Sequence, residues 1–135
     1  MTAQYLLDTN IISAMIYDPT GPVRQRANRA GEDRVATSII VASELRFGVA
    51  KRATQRLQIR VEEMLSTITV FPMEPPVDLF YGRIRADLEK RGTPIGNNDL
   101  WIAAHALALG LTLVTDNVDE FSRVDGLLIE NWLRP

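Results

Sequence analysis

The strongest constraint on the fold is the alternation of very short apolar runs with longer amphipathic ones. YLL (Tyr5–Leu7), RVATS (Arg34–Ser38), TITVF (Thr67–Phe71) and LTLVT (Leu111–Thr115) are rich in aliphatic and β-branched side chains. Runs so short and so apolar suit strands buried on both faces. Between them the spacing predicts helices. Ile11–Met15 starts one, with Thr9 or Asn10 at its N-cap, and Val23–Ala30 is a second, ending near Gly31. IIVASELRFGVAKR places Ile40, Glu44, Phe47 and Lys51 three or four residues apart, and a further helical segment runs from about Thr54 to Leu65. Val77, Phe80, Tyr81, Ile84 and Leu88 share one side of a helix stopped near Gly92; DLWIAAHALALG is another, ending at Gly110. NVDEF reads as a polar turn and LLIENWL as an edge strand. Such alternation predicts an α/β fold, a mostly parallel sheet covered by helices on both faces, as one domain over residues 1–135.

In a sheet of this kind ligands sit beyond the carboxyl ends of the strands, and that is where this chain places acids. Asp8 follows the first strand, and Glu44 lies about two turns into the helix after the second. Asp99 opens the helix behind the loop GTPIGNN, while Asp116, Asp119 and Glu120 follow LTLVT. Taken singly, Asp8 and Asp99 are ordinary caps or first-turn acids, and Glu44, in an otherwise apolar run, calls for a salt bridge. Taken together they repel one another, and burial raises their pKa values further, so they protonate or bind a cation. With no cysteine and one histidine, an oxygen-only donor set points to Mg²⁺ or Mn²⁺ rather than structural zinc. Such an ion orients water and offsets charge on a phosphoryl oxygen; two ions about 4 Å apart serve both sides of a phosphodiester. Thr9 and Thr115 are short hydroxyls at strand ends, either simple caps or groups that orient the carboxylates.

Other conspicuous residues read as structural. His105 stands six residues after Asp99 and faces roughly the opposite side of their helix. Trp101 and Trp132 are too scattered for a base-stacking platform, and Phe47, Phe80 and Tyr81 suit packing or a protein interface. The formal net charge of −2 hides a local excess: between Glu44 and Glu62 there is no acid, yet Arg46, Lys51, Arg52, Arg56 and Arg60 all fall there. The last three are four apart, as on one helix face, and with Arg46 they make either a solvated surface or a contact for an RNA phosphate backbone. Apolar stretches are short and broken, and MTAQY lacks the basic and apolar regions of a secretory signal, so a cytoplasmic protein without a membrane span is expected.

LLDTNIIS, SIIVASELRFGVAK, GTPIGNNDLWIAAHALALGLTLVTDN and EFSRVDGLLIENW together resemble the PIN-domain ribonucleases, and within them the VapC-type toxins of toxin–antitoxin pairs. The second acid follows the first by 36 residues and the third follows the second by 55, spacings typical of that family. The resemblance implies a three-layer α/β/α domain whose acidic pocket binds one or two Mg²⁺ or Mn²⁺ ions and hydrolyses structured RNA to 5′-phosphate and 3′-hydroxyl ends. Asp8, Glu44 and Asp99 match its principal metal-holding acids. At the fourth position, where some relatives carry Asp, this chain has Asn117, leaving Glu120, or alternatively Asp116, to supply the charge. The resemblance also implies a homodimer, with surface on the helices from Ile39 to Leu65 or Phe80 to Leu88. It further implies a cognate antitoxin whose C-terminal peptide covers a helical groove and offers the pocket a basic side chain. A catalytically weak PIN-like domain that binds RNA or a partner is the rival reading; retention of Asp8, Glu44 and Asp99 favours the enzyme.

Overall fold

A computed structural model describes residues 2–52 and 54–135. In chain order its elements are β1 (Tyr5–Leu7), α1 (Thr9–Tyr17), α2 (Pro22–Ala30), β2 (Val35–Ser38), α3 (Ile39–Arg52), α4 (Gln55–Thr67), β3 (Thr69–Phe71), α5 (Val77–Lys90), α6 (Asn97–Leu109), β4 (Thr112–Val114), α7 (Val118–Phe121) and β5 (Ile129–Glu130). The sheet runs β3-β2-β1-β4-β5 with every pair parallel. Helices cover both faces, giving the expected three-layer α/β/α architecture.

The first strand is the middle one. Tyr5 pairs with Val35 on one side and Thr112 on the other, so the chain winds outward in both directions from β1. The carboxyl ends of β1 and β4 therefore lie side by side at the point where the strand order reverses, which is where α/β sheets form crevices. Every residue of β1 and β2 is buried. Leu6 and Leu7 on the strand, and Ile11 and Ile12 on the helix it feeds, are fully excluded from solvent. Each such side chain contributes about 1.5–3 kcal/mol relative to exposure. Among the described residues, no helix is long and apolar enough to cross a membrane.

The sequence boundaries need five adjustments. The N-cap of α1 is Asp8, not Thr9 or Asn10: its carboxylate accepts the Thr9 N–H and its carbonyl accepts those of Ile11 and Ile12. Helix α6 begins two residues earlier than Asp99, and the polar turn NVDEF contains one helical turn anchored by fully buried Phe121. The edge strand in LLIENWL is cut to two residues, because Asn131 Oδ1 accepts the Leu133 and Arg134 N–H groups and turns the chain away. Finally, Arg52, Arg56 and Arg60 do not share one helix, since α3 stops at Arg52 and α4 starts at Gln55. All three nevertheless border one surface hollow beside Tyr17, whose hydroxyl accepts from Arg52 Nη1 at 3.1 Å. Gly92 and Gly110 close their helices with φ of +71° and +70°, a region that favours glycine.

Candidate active site

At the reversal point the short strands hand their acids to one pocket. Asp8, only 4% exposed, has both carboxylate oxygens engaged. Oδ1 takes the Thr9 N–H at 2.8 Å and Oδ2 the Thr115 hydroxyl at 2.7 Å, tying the ends of β1 and β4 together. Burial pushes its pKa up, opposed by those two hydrogen bonds and assisted by the charge of Glu44. Thr9 turns its own hydroxyl to Glu44, donating to Oε1 at 2.6 Å, and Asn98 Nδ2 approaches Glu44 Oε2 at 3.5 Å. Glu44 thus faces hydroxyl and amide donors; no ion pair among the described residues involves it.

The other half of the pocket is organised by Asn117. Its Nδ2 donates to Asp99 Oδ2 at 3.3 Å and to Glu120 Oε2 at 2.8 Å, while its N–H reaches the Thr115 hydroxyl at 3.0 Å. Asp99 is half-buried on the first turn of α6, and its pKa is raised to about 8. Burial is the leading cause, followed by its hydrogen bond with Glu120 and the charges of Asp8, Glu120 and Glu44. Asp99 is the member of this pair pushed up, and Glu120 is held below the usual carboxylate range by its hydrogen bonds with Asp99 and Asn117. Asp99 is thus the acid that feels the other three, and Asp8 in turn feels Glu44.

Asp116 takes another direction. Its carboxylate accepts from Asn131 Nδ2 at 3.0 Å and pairs with Arg134 Nε at 3.2 Å, on the C-terminal segment. Of the two acids weighed for the fourth position, Glu120 is the one joined to Asp99 through Asn117.

Sequence reasoning missed three amides. Asn98 contacts Glu44, Asn10 Oδ1 accepts the Asp116 N–H at 3.1 Å, and Asn131 fastens Asp116 itself. Their signal was available only as proximity to an acid, in DTN, NND and ENW, where an amide near an acid reads equally well as a cap or turn. The basic residues are distributed unevenly. Arg46 holds Glu62 through two hydrogen bonds of 3.0 and 2.9 Å, whereas no ion pair among the described residues involves Arg52, Arg56 or Arg60. Trp101 stacks on Tyr81 with centroids 3.8 Å apart, and Trp132 packs edge-on to Tyr5 with Arg26 over its ring.

A three-layer α/β/α domain with acids beyond its central parallel strands is the architecture this chain presents, and comparison with known proteins identifies the family that shares it. The PIN domain family model matches residues 5–127. Ribonuclease VapC2 of Rickettsia felis is 38% identical over 130 residues, covering 95% of this chain and 97% of that protein. The tRNA(fMet)-specific endonuclease VapC of Salmonella typhimurium is 36% identical over 130 residues, covering 96% and 98%. The solved structure of VapBC2 from Rickettsia felis bound to a DNA fragment from their promoter superposes with a TM-score of 0.89 at 36% identity, covering 95% of this chain and 98% of that one. The chain belongs to the PIN-domain family and, within it, to the VapC-type toxins of toxin–antitoxin systems.

Proposed function

We propose that this toxin is a Mg²⁺- or Mn²⁺-dependent endoribonuclease that uses Asp8, Glu44, Asp99 and Glu120 to hold one or two ions. The observation that carries the reading is the setting of Asp99, half-buried and within reach of the charges of Asp8, Glu44 and Glu120, so that it keeps its proton to about pH 8, burial being the leading cause. Among the described residues, no three acids or histidines yet close into a metal-binding cluster. The donor set nonetheless fits a hard cation: all oxygen, carrying mutual repulsion that the pocket relieves by protonation. A bound ion would supply positive charge that activates water and offsets charge developing at phosphorus.

Within this reading the chain's own residues hold and aim. Thr115 and the Thr9 N–H fix both oxygens of Asp8, the Thr9 hydroxyl fixes Glu44, and Asn117 sets the separation of Asp99 and Glu120. Hydrolysis would break the bond from phosphorus to the 3′-oxygen and place the water oxygen on phosphorus. A 5′-phosphate and a 3′-hydroxyl result. Because no 2′-oxygen takes part, preference for RNA rests on shape and loop recognition. Arg52, Arg56 and Arg60 would meet the phosphate backbone; Arg46, on the same stretch, has its charge matched by Glu62.

Similarity to the Salmonella typhimurium enzyme makes a transfer-RNA loop the first substrate to test. Similarity to VapBC2 supports a cognate antitoxin as partner. Its seat would be the hollow of about 430 Å³ between α1, α2 and α4, lined by Met15, Ile16, Arg24, Arg60 and Met64. A homodimer through the exposed apolar side chains of α3, α4 or α5, Phe47, Ile59 and Leu79, completes the proposal. The test is sequencing of 5′-phosphorylated ends generated from total RNA by wild type and by D99N, with Mg²⁺ and with chelator. Discrete new ends are expected only for wild type with metal; the same ends from D99N would overturn the assignment.

A further inference from the structure

A second polar pair lies in the core, outside the acidic pocket. His105 and Ser38 are both fully buried, with His105 Nδ1 2.8 Å from Ser38 Oγ. Ser38 ends β2 and immediately precedes α3, and its Oγ accepts the Ile40 N–H at 3.1 Å, capping the helix that carries Glu44. His105 belongs to α6, whose first turn carries Asp99. One hydrogen bond thus joins the start of the Glu44 helix to the body of the Asp99 helix. Phe71 of β3 closes the site with its ring edge-on, 6.5 Å from the imidazole.

Counting protons on Ser38 favours one direction for that bond. A hydroxyl has one proton to give and two lone pairs to receive with, and the Ile40 N–H occupies one lone pair. If His105 donated from Nδ1, the Ser38 proton would have no partner. With Ser38 donating to Nδ1, the hydroxyl uses its proton and one lone pair, and the ring proton sits on Nε2, which has no hydrogen-bond partner among the described residues. Burial lowers the pKa of the ring, which keeps it neutral.

We infer that His105 is a positioning residue for the acidic pocket: as the Nε2–H tautomer it receives the Ser38 proton and holds α3 against α6, and so Glu44 against Asp99. The inference rests on the nuclease reading of that pocket. A misplacement on the order of 1 Å between reacting groups costs up to about a hundredfold in rate, so the two acid-bearing helices need a fixed spacing.

The chain has one histidine, so long-range ¹H–¹⁵N correlation of the ring yields one unambiguous tautomer. The expected result is protonated Nε2 with Nδ1 as acceptor; an Nδ1–H ring, or two tautomers in exchange, would overturn the inference. In parallel, H105L is expected to lower kcat roughly tenfold or more with KM near wild type. H105N, whose Oδ1 falls near the Nδ1 position, should recover part of that loss. S38A should resemble H105L, and the double variant should be no worse than either, as for one shared interaction. A folded H105L with wild-type kcat refutes the positioning role, and if H105L does not fold, S38A and the tautomer decide. A wild type that binds Mn²⁺ but cleaves no RNA overturns the nuclease reading alone. The clamp is then judged by Mn²⁺ affinity, which should fall in H105L and S38A.

Discussion

Replacing Asp99 by asparagine should make the metal-free protein more stable at alkaline pH while removing its activity. The new amide is nearly the shape of a protonated carboxyl group, and its carbonyl oxygen can still accept from Asn117. In the folded wild type Asp99 holds its proton to about pH 8, against 3.8 when unperturbed. Below pH 3.8 both folded and unfolded chains carry that proton, so the two variants should be alike in this respect. As pH rises from there toward 8, the unfolded state releases the proton and the folded state does not. Native protein therefore binds more protons than unfolded protein, and wild-type stability falls with rising pH. At about 1.4 kcal/mol per pH unit the unscreened penalty would be roughly 5–6 kcal/mol. Solvent screening at a half-buried site, and the opposite displacement of Glu120, reduce the expected difference to about 2–3 kcal/mol.

The assay is urea unfolding of both proteins in chelator, followed by far-UV circular dichroism from about pH 4 to about pH 9. The gap between the two stability curves should open steadily across that interval, with D99N above wild type, and level off at its alkaline end. Parallel curves would show that Asp99 is not strained by its neighbours. Adding Mn²⁺ should invert the order. At a hundredfold excess over Kd, wild type gains about 2.7 kcal/mol from binding, a gain D99N should largely lack.

Two further expectations use other residues. E120Q should depress Mg²⁺-dependent cleavage well below wild type, by roughly tenfold or more, whereas D116N should retain most activity and lose some thermal stability through the Asn131 and Arg134 contacts. Cleavage rates and melting temperatures of the pair decide this, and the reverse ranking would move the fourth acid to Asp116. Neutralising Arg52, Arg56 and Arg60 together should weaken RNA binding and flatten the dependence of log K on log salt by about 2 if all three meet phosphate. Filter binding at several salt concentrations tests it, and an unchanged slope would return them to an ordinary solvated surface.

What could be read from the residues, and what could not, divides along physical lines. The strands were readable because burial on both faces leaves short runs of small, aliphatic and β-branched residues free of charge, as in YLL and VATS. Parallel pairing followed from the helices between them, and with it the edge of the sheet where acids had to gather. Element ends were harder, because they are decided by single side chains that bond to backbone. Asp8 capping α1 and Asn131 turning the chain after β5 are both of this kind. The partnership of Glu44 was unreadable for another reason: an acid in an apolar run demands a partner without naming it. Here that partner is Thr9, 35 residues earlier in sequence. His105 shows the same limit, since helical spacing indicated a face away from Asp99 but not the Ser38 hydroxyl waiting there.

Asn117 is where the charges of the pocket are reconciled. Along the chain it is a gap where a fourth acid belongs. In three dimensions it occupies the space between Asp99 and Glu120 and donates to both. An aspartate there would add a further negative charge beside two carboxylates whose titrations are already coupled, and would donate nothing. The amide instead adds a hydrogen bond that, after the one with Asp99, helps hold the Glu120 carboxylate below its usual range. The acids around it therefore flank a neutral side chain at their most crowded point. Thr115 completes the arrangement: its hydroxyl gives its proton to Asp8 and receives one from the Asn117 N–H, coupling the strand-end acid to the amide that organises the other pair. Both halves of the site thus hang on the residues that leave β1 and β4, the two strands that the topology sets side by side.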